Sequence, residues 1–264
     1  MAANDTATTN AVHTVHTVPG RAVAAAAGDG DAGAIVYRPV VWEDVEAITD
    51  AFCRTWGAGE SDDPDIARRI CHHFVLHYLE PATGGDVAES EDGVFLGVTL
   101  ARVEGEPVLF PHAGEELARV NAALDATEAG AATLARTNLW HEVEERMEDD
   151  IDLNATVHAE LELFLVAEQA RGKGVGGTLW RRVLGYFAEH GQSRYYLHTD
   201  SSCDVGFYEH KGLDLVAERY AADSPDTHVG SGEDIFIYVG ETPAAASAAA
   251  QTGAADAESG EARA

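Results

Sequence analysis

Lysine is almost missing from this chain. Lys173 and Lys211 are the only two among 264 residues, and the other 15 of its 17 basic residues are arginines. Against 46 acidic residues the formal net charge is −29, so the surface repels phosphate backbones and anionic lipid headgroups. Nucleic acid and membrane surfaces are therefore not expected as partners. Cysteine is scarce too. Cys53, Cys71 and Cys203 have no CxxC spacing and leave an odd residue over. They imply neither a disulfide framework nor a zinc knuckle, and reduced thiols in a cytoplasmic protein are the expectation. Long apolar runs are also lacking: none approaches the ~18 residues of a spanning helix, and the N-terminus has neither the basic flank nor the apolar stretch of a signal peptide.

What is abundant is acid, and the acid-rich, lysine-poor balance resembles that of proteins from extreme halophiles. At molar salt the Debye length falls to about 3 Å, so repulsion among exposed carboxylates is screened and their hydration maintains solubility. The charge then reports habitat more than substrate. Residues 1–34 hold Ala, Thr, Gly, Asp and His with only isolated valines, too little apolar surface to offset ordering entropy, and read as a disordered leader. Residues 241–264 are Ala-rich and acidic without an aromatic or branched aliphatic side chain, and read as a disordered tail.

Between them, residues 35–240 read as one domain. A strand from Ile35 is followed by a helix with Val45, Ile48 and Phe52 at helical spacing, and by a second helix after Asp63-Pro64. Segments 93–103 and 107–110 flank Glu104-Gly105-Glu106, a hairpin signal. Residues 111–154 hold two amphipathic stretches and read as a helical insertion. Thr156 to Val166 alternates on period two and is the clearest strand, followed by a glycine-rich turn and a helix from Val175 to His190. A strand from Arg194, a short helix over Asp204–Lys211 and a final strand pair complete the order. The fold class is α/β of the α+β kind, a mixed, mainly antiparallel sheet flanked by helices.

The turn carries the chemistry. Arg171, Gly172, Lys173, Gly174, Val175, Gly176 and Gly177 open directly into a helix; glycines let an anion approach the backbone, and unpaired N–H groups with the helix dipole attract it. Both lysines of an otherwise acidic chain fall near it, with Arg181 and Arg182. Gly172, Gly174 and Gly177 also satisfy GxGxxG, with Asp200 ending the next strand as in a dinucleotide-binding fold. Against that reading, Ala167 to Arg171 separate the strand from its first glycine, and too little chain follows Asp200 for a parallel sheet. No Ser or Thr follows a Gly-Lys pair as a P-loop needs.

Arg171, Gly174 and Gly176 match the GNAT superfamily signature of Arg or Gln, two residues, Gly, one residue, then Gly or Ala. The chain resembles that superfamily of N-acetyltransferases, and with its acidity suggests a halophilic archaeal member. The resemblance implies acetyl-CoA as cosubstrate, its pyrophosphate held by the amides of residues 171–177 with help from Lys211, and its pantetheine arm by backbone near Phe164 and Val166. Phe207-Tyr208, followed after three residues by Gly212-Leu213, is similar to the family's closing motif. By that likeness Tyr208 is the general acid for the departing thiolate. The family's pantetheine-holding asparagine has no counterpart, since Ser201, Ser202 and Asp204 stand in its region.

An alkylammonium nucleophile must lose a proton first, which needs a base. Glu160 and Glu162 share one strand face ahead of the turn, Glu160 being the preferred base; the competing reading makes both edge charges facing solvent. His72, His73 and His77 lack an accompanying HExxH glutamate and read as ordinary helix histidines, so no metal is expected. The resemblance implies acetyl transfer to a primary amine of a small molecule or peptide, by a monomer or homodimer. A catalytically silent acetyl-CoA sensor is the alternative.

Overall fold

A computed structural model describes residues 34–57, 61–223 and 232–243; the expected leader and nearly all of the expected tail lie outside the described residues. In chain order the elements are β1 (Ile35–Pro39), α1 (Val45–Trp56), α2 (Pro64–Leu79), β2 (Gly84–Ser90), β3 (Phe95–Val103), α3 (Ala113–Asp125) and α4 (Glu128–Asp150). Then follow β4 (Ala159–Val166), α5 (Val175–Glu189), β5 (Arg194–Asp200), α6 (Val205–His210), β6 (Asp214–Arg219) and β7 (Ile235–Glu241). The strands form one sheet in the order β1-β2-β3-β4-β5-β7-β6. Every neighbouring pair is antiparallel except β4 with β5.

Local chemistry accounts for most boundaries. The Asp63 carboxylate accepts from Asp65 N–H at 2.9 Å with Pro64 in the first turn of α2, and the Thr127 hydroxyl accepts from Gly130 N–H at 3.1 Å to start α4, both N-caps. Ile48, Ile70, Val75, Leu76 and Leu79 bury the apolar faces of α1 and α2 against Val98 and Leu100 of β3. On the other half of the sheet, Trp180, Val183 and Phe187 of α5 pack on Leu161, Tyr195 and Leu197. Removing roughly a full Phe or Leu side chain from water stabilises by about 1.5–3 kcal/mol, so these faces hold the helices to the sheet.

Three expectations are corrected. The hairpin lies one strand earlier: β2 pairs with β3 around Gly93, which has φ 76°, while 107–110 is loop, with Leu109 N–H donating to Ala82 O at 2.8 Å. The β2 sequence hides its nature because packing demands glycine there; a Cβ on Gly84 would come within 2.5 Å of the Tyr186 ring. Cys53 and Cys71, expected as thiols, form a disulfide, because the adjoining helices α1 and α2 bring their Cα atoms to 5.5 Å; Cys203 is free. The ordered chain also runs past residue 240. Glu241 pairs with Arg194, and Thr242 is buried with its N–H donating to Ser193 O at 3.0 Å.

Candidate active site

The strands β4 and β5 meet at a single register pair, Glu160 with Tyr196, and past it they diverge. Leu100 of β3 pairs with Leu163 and Ala101 with Leu161, so Glu162 is an extra residue, a β-bulge that re-aims side chains beside the opening. Glu160 and Glu162 consequently both reach Arg102 of β3: one guanidinium nitrogen pairs with Glu160, and Nε donates to Glu162 Oε1 at 2.9 Å. Their side chains are only 9% and 7% exposed. The solvent-facing edge reading of these two acids is therefore wrong.

His198 of β5 extends the network, with Nδ1 3.1 Å from Glu160 Oε1 and Nε2 3.2 Å from Glu148 Oε1 on α4. Arg102 also donates to the Tyr196 hydroxyl at 2.7 Å. Atoms of Glu148, Glu160 and His198 lie within 4.8 Å of one another, close enough to hold a metal ion. Both imidazole nitrogens stand near carboxylates, Nδ1 in hydrogen-bond contact with Glu160 and Nε2 near Glu148 without hydrogen-bond geometry.

Burial drives both central glutamates upward, with opposite outcomes. For Glu160 the hydrogen bond and charge of His198, together with Arg102, outweigh burial and hold the carboxyl down to about 2. For Glu162 burial and the neighbouring Glu160 charge prevail over Arg102 and hold it well above the usual range. Burial opposes the charged form of His198, yet Glu148 and Glu160 raise it well above an ordinary histidine. Glu160 is held as an anion, whereas Glu162 holds a proton more tightly than an ordinary carboxylate.

These groups line a cavity of about 660 Å³ bounded by α1, α2 and α4 above the diverging strands, and Phe164 and Tyr208 line it too. The Tyr208 ring packs 6.1 Å from Trp180 and 5.9 Å from Tyr238. Burial, then the nearby Cys203, raise its hydroxyl above an ordinary phenol, so it carries its proton at neutral pH.

At the far end of β4 lies the glycine turn. Gly174 takes φ 79° as the N-cap of α5, with Gly172 at φ 76°. Thr178 N–H donates to Gly174 O at 3.1 Å, so the amides of Gly174, Val175, Gly176 and Gly177 precede the first helical bond of a 15-residue helix. Arg171, Gly172, Lys173 and Gly174 are exposed while the Val175 side chain is buried. A Cβ on Gly176 would lie 3.2 Å from Val166 and 3.4 Å from the Phe164 ring, which shows how closely the turn is seated on β4. Open amides, a helix N-terminus and two exposed cations suit a phosphate group.

The structure thus brings Glu160, Glu162, Phe164 and Tyr208 to one cavity and leaves the turn and Val166 at the end of β4. Lys211 lies at the C-terminus of α6, its Nζ 5.2 Å from the ring centroid of Phe207, which packs 5.5 Å from Phe164. Arg182 is committed to Asp86 at 2.6 Å and Arg181 to Thr178 at 2.9 Å. His73 is buried with Nδ1 2.7 Å from Asn121 Oδ1, and His77 stacks on His141 at 3.7 Å between ring centroids. Sequence reasoning missed Arg102, His198, Glu148 and Tyr196. The one available signal was polarity in the wrong place, an arginine and a histidine inside otherwise apolar strands.

Comparison with known proteins identifies the family and the fold. The Acetyltransferase (GNAT) family model matches residues 45–213, more than half of the chain. Among solved structures, a mosquito arylalkylamine N-acetyltransferase like 5b is similar at 16% identity and a TM-score of 0.50, covering 79% of this chain and 100% of that one. An agmatine N-acetyltransferase variant is similar at 16% identity and a TM-score of 0.50, covering 78% and 99%. The ribosomal-protein-S18-alanine N-acetyltransferase of Escherichia coli is similar at 12% identity and 0.46, covering 79% and 94%. No curated protein matches the chain. The fold and the family match define an acetyltransferase. The chain belongs to the GNAT family. A dinucleotide-binding fold does not apply, since among the described residues β4 and β5 are the only parallel neighbours in the sheet.

Proposed function

We propose that the protein is an acetyl-CoA-dependent N-acetyltransferase that modifies a primary amine of a small molecule or peptide. The observation that carries this reading is the diverging β4–β5 pair, which joins an anion cradle at the start of α5 to a buried cavity holding Glu162 and Tyr208. The amides of Gly174 to Gly177, with Arg171 and Lys173, would hold the pyrophosphate, and the β4 backbone near Phe164 and Val166 would line the pantetheine arm. When bound, acetyl-CoA supplies an activated acyl carbon and a thiolate leaving group.

The chain's own residues then divide the proton work. Glu162, raised by burial and by Glu160, accepts the ammonium proton, which makes it the base in place of the initially preferred Glu160. Glu160 is held down by His198 and Arg102, and serves to fix those two cations. Tyr208 holds a proton on the opposite side for the departing sulfur. The soluble cosubstrate is in keeping with a cytoplasmic enzyme, and no described helix is long and apolar enough to cross a membrane. A thiol-release assay with acetyl-CoA and a panel of amines at molar salt tests the reading. Release that requires both components, with an acetyl mass gain on the amine, is the expected result. Binding of acetyl-CoA with no release for any amine would make the chain a silent sensor instead.

A further inference from the structure

We infer that the acceptor is an elongated dication, a primary amine whose far end carries a second amine or guanidinium seated against Glu144 on α4. The inference rests on the acetyltransferase reading and names its substrate class. Seven carboxylates line the cavity against two guanidiniums, and surface acidity does not account for them. The side chains of Glu144, Glu148, Glu160 and Glu162 are 15%, 12%, 9% and 7% exposed. These groups are largely withdrawn from bulk solvent around the cavity, and an excess of negative charge gathered there favours a cation.

Three of these four acids are already satisfied. Arg102 holds Glu160 and Glu162, while Glu148 faces His198 and accepts from Asn154 Nδ2 at 2.6 Å. Glu144 has a single long contact, His141 Nδ1 at 3.4 Å. His141 lines the cavity, is 8% exposed, and its Nε2 has no hydrogen-bond partner. The α4 wall therefore offers an under-partnered carboxylate beside a buried imidazole stacked on His77.

The same cavity has an aromatic wall, which meets α4 where Phe74 packs 5.5 Å from His141. Phe52, Trp56, Phe74 and Tyr78 all line the cavity, with Phe52 and Phe74 stacked at 5.5 Å and Phe52 against Trp56 at 4.9 Å. Tyr78 lines the same cavity as Glu144 and Glu162. Aromatic faces accept methylenes and attract cations. Carboxylates in a cavity with such a wall recognise a molecule positive at both ends and apolar between. A monoamine would leave Glu144 with only the long His141 contact and the charge of His198, and the direct pairing that a second cationic end adds supplies the discrimination.

The test compares putrescine and agmatine with butylamine and phenethylamine, by turnover with acetyl-CoA and by calorimetric binding to the protein saturated with coenzyme A. The dications should exceed butylamine by at least about 30-fold in both kcat/KM and affinity, as expected when a buried charged group is left unpaired. Glu144→Gln should erase that preference, bringing the ratio of putrescine to butylamine in kcat/KM and in affinity to within about threefold. Glu144→Asp, which keeps the charge, should retain it, and Glu142→Gln, exposed on the same helix, should change nothing. Butylamine handled within threefold of putrescine by the wild-type protein, or Glu144→Gln weakening both alike, would overturn the inference. A Glu144-dependent binding preference without any turnover would instead remove the acetyltransferase reading and leave the dication site standing.

Discussion

Replacing Glu162 with Gln preserves side-chain size and removes the group placed to accept the ammonium proton. The size of the effect follows from the substrate and the site together. An alkylammonium with a pKa near 10.4 leaves only about one free amine in 2,500 at pH 7, so an enzyme without a base works on that fraction alone. Glu162 is 7% exposed and raised by burial and by Glu160, which moves its proton affinity toward that of the amine and makes the transfer more favourable. The Glu162→Gln variant should therefore lose about 10²–10³ in kcat/KM at pH 7, within the range of general-base effects. The sign with pH is definite. A base acts deprotonated, so the wild-type rate rises as pH climbs through the raised Glu162 value and then levels. The variant should keep rising about tenfold per pH unit until the amine itself titrates, and its deficit should close toward pH 10. Steady-state kinetics from pH 5 to 10 on a single amine reads both features. A variant profile parallel to wild type, with a constant deficit at every pH, would refute the base role. A Glu160→Gln profile showing the closing deficit would transfer that role to Glu160.

Arg102→Met should destabilise the fold by about 3–5 kcal/mol in urea unfolding at pH 7, because it leaves Glu160 and Glu162 buried beside each other without their shared cation. The loss should shrink in acid as the carboxylates become neutral, and a loss under about 1 kcal/mol would show that the two carboxylates do not depend on Arg102 for their burial. Tyr208→Phe should lower kcat about 10²-fold with acetyl-CoA affinity little changed, whereas wild-type kcat across pH 6–10 would leave Tyr208 as packing. Cys53→Ser should cost about 3 kcal/mol of thermal stability by opening the 18-residue link to Cys71, and an unchanged melting point under oxidising conditions would argue that the bond does not form in solution.

The parts of the fold legible in the sequence were those governed by local rules. The Asp63-Pro64 cap, the period-two run into Val166 and the glycines at 172, 174, 176 and 177 each announce themselves within a few residues. What stayed hidden was set by tertiary contact. The strand Gly84–Ser90 has its β signal stripped out by glycine, which the Tyr186 ring requires. Pairing of Cys53 with Cys71 depends on how α1 lies on α2. In the site, Glu160 and Glu162 were found as a pair, but the sequence could not divide their roles. Arg102 comes from a strand about 60 positions earlier, His198 from the next parallel strand and Glu148 from the insertion, and those three set which carboxylate holds its charge.

The most direct test of the central claim is a calorimetric titration of coenzyme A into wild-type protein and Gly174→Asp. At φ 79° with open space around its Cα, position 174 tolerates Asp better than most residues, while the new carboxylate would stand at the mouth of the amide cradle. The account predicts saturable wild-type binding and at least about 100-fold weaker binding by the variant, roughly 2.7 kcal/mol, with the melting temperature nearly unchanged. An affinity within threefold of wild type would contradict the placement of the pyrophosphate on this turn.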